Sequence, residues 1–300
     1  MKTKLALLTL IGFILGMAQH GVSSGSYSMF RANGLNSQNE LGNFNERMII
    51  VEDFVNYHKH QIKFPTNEKP EISIDYNNSI LNSNDKFILQ IGVATASKKH
   101  LKKSDEKVNI SLVVDNSGSM SGQKLDFVKN AMKTFVEKLD NGTTISIIVF
   151  NSNASIKKHN VILNNDRSLV YQAIENIHSM GSTNINEGMI LGYEEISKVH
   201  DLGENSRLIL LTDGMTNQGE TNHEIILANS KKFNDLGIEI STIGVGESID
   251  FDLLRNLAEN GNGSNHFIGD SETDIQKVFV NELESLVYNL SSIIKTQLTD

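Results

Sequence analysis

The sequence predicts an α/β fold: a doubly wound, mostly parallel six-stranded sheet preceded by a small helix-plus-strands extension. Three observations predict it. From Val108 onward, short β-branched runs alternate regularly with amphipathic helical stretches, the signature of a parallel sheet covered on both faces. The first of those runs, VNISLVV, is apolar almost throughout, as a strand buried on both sides requires. At 39% hydrophobic and 21% charged over 300 residues, the chain can bury a core of that size.

The elements follow in order. Residues 1–18, MKTKLALLTLIGFILGMA, read as a secretory signal peptide, with Lys2 and Lys4 as the basic region, Leu5 to Met17 as the apolar stretch, and small residues before a cleavage point at Ala18. The apolar run is shorter than the roughly 20 residues that span a bilayer, so no stable span is expected after cleavage. Residues 19–45, rich in Ser, Gly and Asn, form a flexible lead-in. Residues 46–104 form the extension. Met48, Val51, Phe54 and Val55 make a helical stripe that Phe64-Pro65 ends, and strands follow at 71–76 and 86–94.

After the strand at 108–114, Leu125, Val128, Met132, Phe135, Val136 and Leu139 mark one helix face. Strands are expected at 143–150 and at 155–163, the second as an antiparallel edge. Helices follow at 168–177 and 185–199, then a strand at 207–212 and a helix at 223–236. A strand at 238–246, a helix at 251–259, a strand at 264–269 and a helix at 273–290 complete the alternation. In the sheet order 3-2-1-4-5-6, with strand 3 antiparallel, the strands ending at Asp115 and Asp213 are neighbours where the winding reverses. Open α/β sheets bind ligands at that point.

Charge and composition narrow the function. The formal charge is −9, and cleavage after Ala18 removes two lysines and no acid, giving −11. Such a surface excludes nucleic acid, which needs a basic stripe. The basic stretch Lys98–Lys103 is short and reads as a solvated loop. The chain contains no cysteine, so there is no disulfide framework and no thiolate chemistry. His58 and His60 fall on different helix faces, His266 reads as a core or edge residue, and neither a P-loop nor a paired-histidine zinc motif is present.

Five side chains carry the chemistry. Asp115, Ser117 and Ser119 stand in Asp-x-Ser-x-Ser spacing after the first strand of the domain, Thr183 lies in GSTNINEG, and Asp213 closes LILLTD. Each has an ordinary alternative as a cap or turn residue. Asn184, three residues before Glu187, is placed to cap the next helix, which would leave the Thr183 hydroxyl free. Together these residues supply hydroxyl and carboxylate oxygens at one sheet edge, the donor set of a hard cation such as Mg²⁺, with Mn²⁺ or Ca²⁺ as alternatives.

This arrangement resembles the von Willebrand factor type A domain and its metal-ion-dependent adhesion site, over residues 108–290. The resemblance implies that Ser117 and Ser119 contact the metal directly. It also implies that Asp115 and Asp213 act largely through metal-bound water, and that Thr183 acts either way. VEDFVNYHKHQIKFP and RNLAENGNGSNHFIG resemble a group of secreted bacterial type A proteins in which further strands follow the domain, so residues 291–300 read as the start of such a segment. The function expected is non-enzymatic. The cation captures an Asp or Glu carboxylate of a protein partner outside the cytoplasm, secreted or periplasmic. The alternative is a Mg²⁺-dependent hydrolase using metal-activated water, which ester turnover dependent on Asp115 would reveal.

Overall fold

A computed structural model describes residues 65, 71–76, 89–94, 107–246, 248–268, 275–276 and 278–279. The signal peptide, the lead-in, the helical part of the extension and residues 280–300 lie outside them. Two strands of the extension are described, β1 (Glu71–Tyr76) and β2 (Leu89–Ala94), paired antiparallel with Ile74 opposite Ile91.

The main sheet comprises β3 (Val108–Asp115), β4 (Thr144–Phe150), β5 (Ala154–Ile162), β6 (Asn205–Thr212), β7 (Ile238–Val245) and β8 (Asn262–Ile268). Its helices are α1 (Gln123–Lys138), α2 (Ser168–Glu175), α3 (Ile185–Ser197), α4 (His223–Asn234) and α5 (Phe251–Asn260), and the described residues of 275–279 are also helical. The strand order is β5-β4-β3-β6-β7-β8, and every pairing is parallel except β4 with β5. This is the doubly wound order expected from the sequence, with the antiparallel strand at the edge. From β3 to β8, element ends differ from the sequence reading by at most two residues, the usual scatter of frayed termini; the start of the strand read at 86–94 and most of the helix read at 273–290 lie outside the described residues.

Burial explains the pattern. Every residue of β4 and β6 is buried, as is β3 after Val108, because helices cover both faces of these central strands. Edge strand β5 alternates instead, with half-buried residues between exposed ones. On one face Ile110, Leu112, Ile147 and Ile209 pack against Val128, Met132 and Phe135 of α1, with Phe279 edge-on to Phe135. On the other, Val113, Ile148 and Leu210 meet Met189 and Tyr193 of α3 and Leu253 and Leu257 of α5. α3 lies especially close to the sheet. A Cβ on Gly192 would come 2.4 Å from Val113 Cγ2, and one on Gly188 would come 2.6 Å from the Phe150 ring. Two glycines one turn apart therefore set how near α3, and the loop leading into it, stands to β3 and β4.

Candidate metal site

Four loops meet at the carboxyl edge of β3, β4 and β6. Backbone hydrogen bonds tie them together: Gly118 N–H to the Gly181 carbonyl (3.1 Å), Met180 N–H to Asn116 (2.8 Å) and Asn184 N–H to Asn151 (2.8 Å). The Asn116 amide donates to the His178 carbonyl (2.7 Å) and accepts from Asn151 Nδ2 (3.2 Å). Gly181 makes the close approach feasible. Its φ of 73° is left-handed, and a Cβ there would sit 2.7 Å from Ser152 Oγ.

All five residues singled out from the sequence lie at this edge. Asp115 is fully buried. Its Oδ1 accepts from the Ser117 N–H (2.7 Å) and its Oδ2 from the Thr212 hydroxyl (2.5 Å). The Ser117 and Ser119 hydroxyls are 3.0 Å apart, and Ser119 Oγ donates to Asp213 Oδ1 (2.6 Å). Thr183 comes in from the α3 entry loop. A Cβ placed on Gly214 would lie 3.6 Å from Thr183 Oγ1 and 3.9 Å from Ser119 Oγ, so both hydroxyls overhang the same glycine. Asn184, not Thr183, caps α3. Its Oδ1 accepts from Glu187 N–H (3.2 Å) and its Nδ2 donates to Glu187 Oε2 (2.8 Å). The Thr183 backbone is pinned by Asn217, whose Oδ1 accepts from Thr183 N–H (2.8 Å) while Asn217 N–H donates to the Thr183 carbonyl (2.9 Å).

The electrostatics are unusual for a structural network. Burial pushes the Asp115 carboxyl up to about 6, against hydrogen bonds from Thr212 and Ser117 that favour the anion, and the neighbouring Asp213 adds to the rise. The sequence reading missed one participant. Lys124, in the first turn of α1, donates from Nζ to Asp213 Oδ2 at 2.6 Å. A lysine there stands at the helix end where the backbone dipole already presents positive charge, an unfavourable position that the ion pair with Asp213 offsets.

The donor set fits a hard cation: two carboxylates and three hydroxyls, with no nitrogen or sulfur ligand among them. Among the described residues, no three His, Cys, Asp or Glu side chains cluster, so a histidine-rich or tricarboxylate site does not compete for the assignment. The surrounding loop segments 116–123, 151–153, 179–184 and 214–219 contain no Asp, Glu, Lys or Arg, although the chain has 36 acids. Met180 and Met215 project from two of them, both more than half exposed.

Comparison with known proteins identifies the domain. The model of the von Willebrand factor type A domain matches residues 109–281. An uncharacterized protein of Synechocystis is 32% identical over 180 residues, 60% of this chain and 41% of that protein. The human inter-alpha-trypsin inhibitor heavy chain H3 is 29% identical over 176 residues, 56% of this chain and 20% of its own length. This chain thus spans less than half of either relative. A solved structure of a mussel byssus protein, proximal thread matrix protein 1 with a zinc-occupied metal-ion-dependent adhesion site, shares the fold at a TM-score of 0.51. It is 21% identical and covers 60% of this chain and 45% of the mussel chain.

Proposed function

Because the chain belongs to the von Willebrand factor type A family, whose domains commonly mediate metal-dependent protein interactions, we propose that it is a non-enzymatic protein-binding module. Its ligands to a divalent cation are Asp115, Ser117, Ser119, Thr183 and Asp213. The observation that carries this reading is the gathering of those five oxygen-bearing side chains at one sheet edge: Ser117, Ser119 and Asp213 are joined by hydroxyl contacts, the Ser119 and Thr183 hydroxyls flank Gly214, and Asp115 and Asp213 are both buried.

When bound, the cation supplies a Lewis-acidic centre for an anionic oxygen. The chain's own residues do the rest. Asp115 and Asp213 provide the negative charge that holds a dication, and Mg²⁺ suits their all-oxygen setting. Ser117 and Ser119 are fixed in register by the tight turn through Gly118–Met120. Thr183 stands opposite them on a separate loop, held by Asn217. Two carboxylates and three hydroxyls leave room for an outside ligand, and the charge-free rim does not repel an incoming Asp or Glu carboxylate. The apolar segment from Leu5 to Met17 supports export, so the partner is expected outside the cytoplasm. Among the described residues no helix is long and apolar enough to cross a membrane.

The test is capture of partners from the native source with Mg²⁺, with EDTA, and with Asp115→Ala. A partner retained only by the wild-type protein in Mg²⁺, and lost when its carboxylates are amidated, is the expected result. Retention indifferent to EDTA and to the substitution would remove the metal from recognition. Asp115-dependent turnover of phosphate or peptide esters would replace the binding role with a hydrolytic one.

A further inference from the structure

Lys124 has no part in the five-residue set, yet among the described residues it is the cationic side chain hydrogen-bonded to it. Its Nζ lies 2.6 Å from Asp213 Oδ2, with the lysine side chain 21% exposed and the aspartate side chain 1% exposed. It occupies the second position of α1, after Gly122, which offers no side-chain cap. A positive side chain there is disfavoured by the helix dipole, so the ion pair with buried Asp213 accounts for its orientation. The hydrogen-bonded path Ser117, Ser119, Asp213, Lys124 ends on this ammonium group.

The charge balance follows. Two ionised aspartates and one lysine give the metal-free site one negative charge. A dication added to the same groups leaves one positive charge over. Without Lys124 the same dication would be balanced exactly by the two carboxylates, and an incoming anion would gain less.

We propose that Lys124 is a built-in competing cation: it satisfies Asp213 in the metal-free protein, weakens metal binding, and leaves the loaded site with the surplus positive charge that draws in an anionic partner group. This rests on the metal-site reading given above. It also explains how a chain with formal charge −9 can present a locally electrophilic spot to a carboxylate. The lysine thus exchanges metal affinity for ligand affinity, and removing it should move the two in opposite directions.

The experiment uses the full chain at pH 8 and compares wild type with Lys124→Met, Lys124→Arg and Lys129→Met. Lys129 is a control on the same helix, with its Nζ donating to the Glu175 carbonyl at 3.1 Å and no contact with the five-residue set. Calorimetric titration with MgCl₂ should show Lys124→Met binding on the order of tenfold tighter, as expected for removal of a neighbouring unit charge at a partly screened site. Lys124→Arg and Lys129→Met should stay within about threefold of wild type on the same argument. Thermal unfolding in EDTA should show Lys124→Met less stable than wild type, because Asp213 loses its counter-charge, and saturating Mg²⁺ should close that gap. With Mg²⁺ saturating, trifluoroacetate serves as a weak carboxylate probe, and its fluorine line should broaden less with Lys124→Met than with wild type. Unchanged or weaker Mg²⁺ binding by a folded Lys124→Met protein would overturn the proposal while leaving the metal site standing, as would unchanged broadening. Failure of the wild-type protein to bind Mg²⁺ would instead remove the site reading itself, and this inference with it.

Discussion

The two ends of the central strands are both polar, but they are finished differently. At the amino end Asn109 Nδ2 donates to Glu204 Oε2 (2.9 Å) and to Ser206 Oγ (3.0 Å). Glu204 pairs with Lys107 (3.0 Å), and His200 Nδ1 meets Ser206 Oγ at 2.8 Å. Glu204 is paired directly with Lys107, on which the nearby Asp201 charge also acts. Burial opposes ionisation of Glu204, but hydrogen bonds from Lys107, Asn109 and the Asp201 backbone outweigh it and hold the carboxyl below its ordinary value. At the carboxyl end Lys124 pairs with Asp213, while burial lifts Asp115. The first cluster is complete as a structure. In the second, buried Asp115 is held by the Ser117 N–H and the Thr212 hydroxyl, the arrangement our proposed cation site calls for.

The largest effect that would break this contrast is on metal binding. Asp213→Ala should weaken Mg²⁺ binding at least a hundredfold, consistent with losing a full charge beside a dication, whereas Glu204→Gln at the other end should leave it unchanged. Calorimetry on both variants checks this, and equal losses would dissolve the distinction between the two ends.

A smaller effect tests the scaffold that brings Thr183 to the site. Gly192→Ala forces a methyl group against Val113 and should cost about 1–3 kcal/mol of stability, as overpacking in a close-packed core does. Denaturant unfolding measures it, and a neutral result would mean that α3 can move off the sheet freely.

Acidity should separate the two ends by sign. Asp115 is raised above its unfolded value of 3.8 to about 6, so in the metal-free protein the folded state holds its proton more tightly. Its contribution therefore favours folding at the acid side of that window and declines as pH rises through 6. Glu204, held below its ordinary value, contributes in the opposite sense: its stabilisation is present above that value and fades as pH falls. In EDTA, Asp115→Asn should remove the decline between about pH 4 and pH 6, and Glu204→Gln should not. Thermal melts across that range give the answer.

Most of this framework was readable from the chain alone, for identifiable reasons. β4 and β6 each carry an unbroken apolar run, at 147–150 and at 208–211, so their burial on both faces followed from the absence of alternation there. The α1 stripe of Val128, Met132 and Phe135 repeats at helical spacing and faces the core. Asp115, Ser117, Ser119 and Asp213 stood out because each sits where a strand ends, and strand ends in such sheets share an edge. Asn184 as the cap of α3 was legible from Glu187 three residues on. Lys124 was not, because its partner Asp213 is 89 residues away and a single lysine on a helix ordinarily faces water. Asn116, Asn151 and Asn217, which stitch the loops, were equally hidden, since asparagine is abundant throughout the sequence and its partners here are set by three-dimensional approach. The close seating of α3 depends on Gly188 and Gly192, whose meaning appears only once Phe150 and Val113 are seen beneath them.

The central claim is that the carboxyl end of β3 and β6 holds a divalent cation through these five side chains. Titration of the chelator-treated full chain with MgCl₂, wild type against Asp115→Ala, tests it most directly. The account predicts one Mg²⁺ bound per wild-type chain and none by the folded variant over the same concentration range. Equal binding by both would contradict it and would move the cation, and any partner it recruits, away from this edge of the sheet.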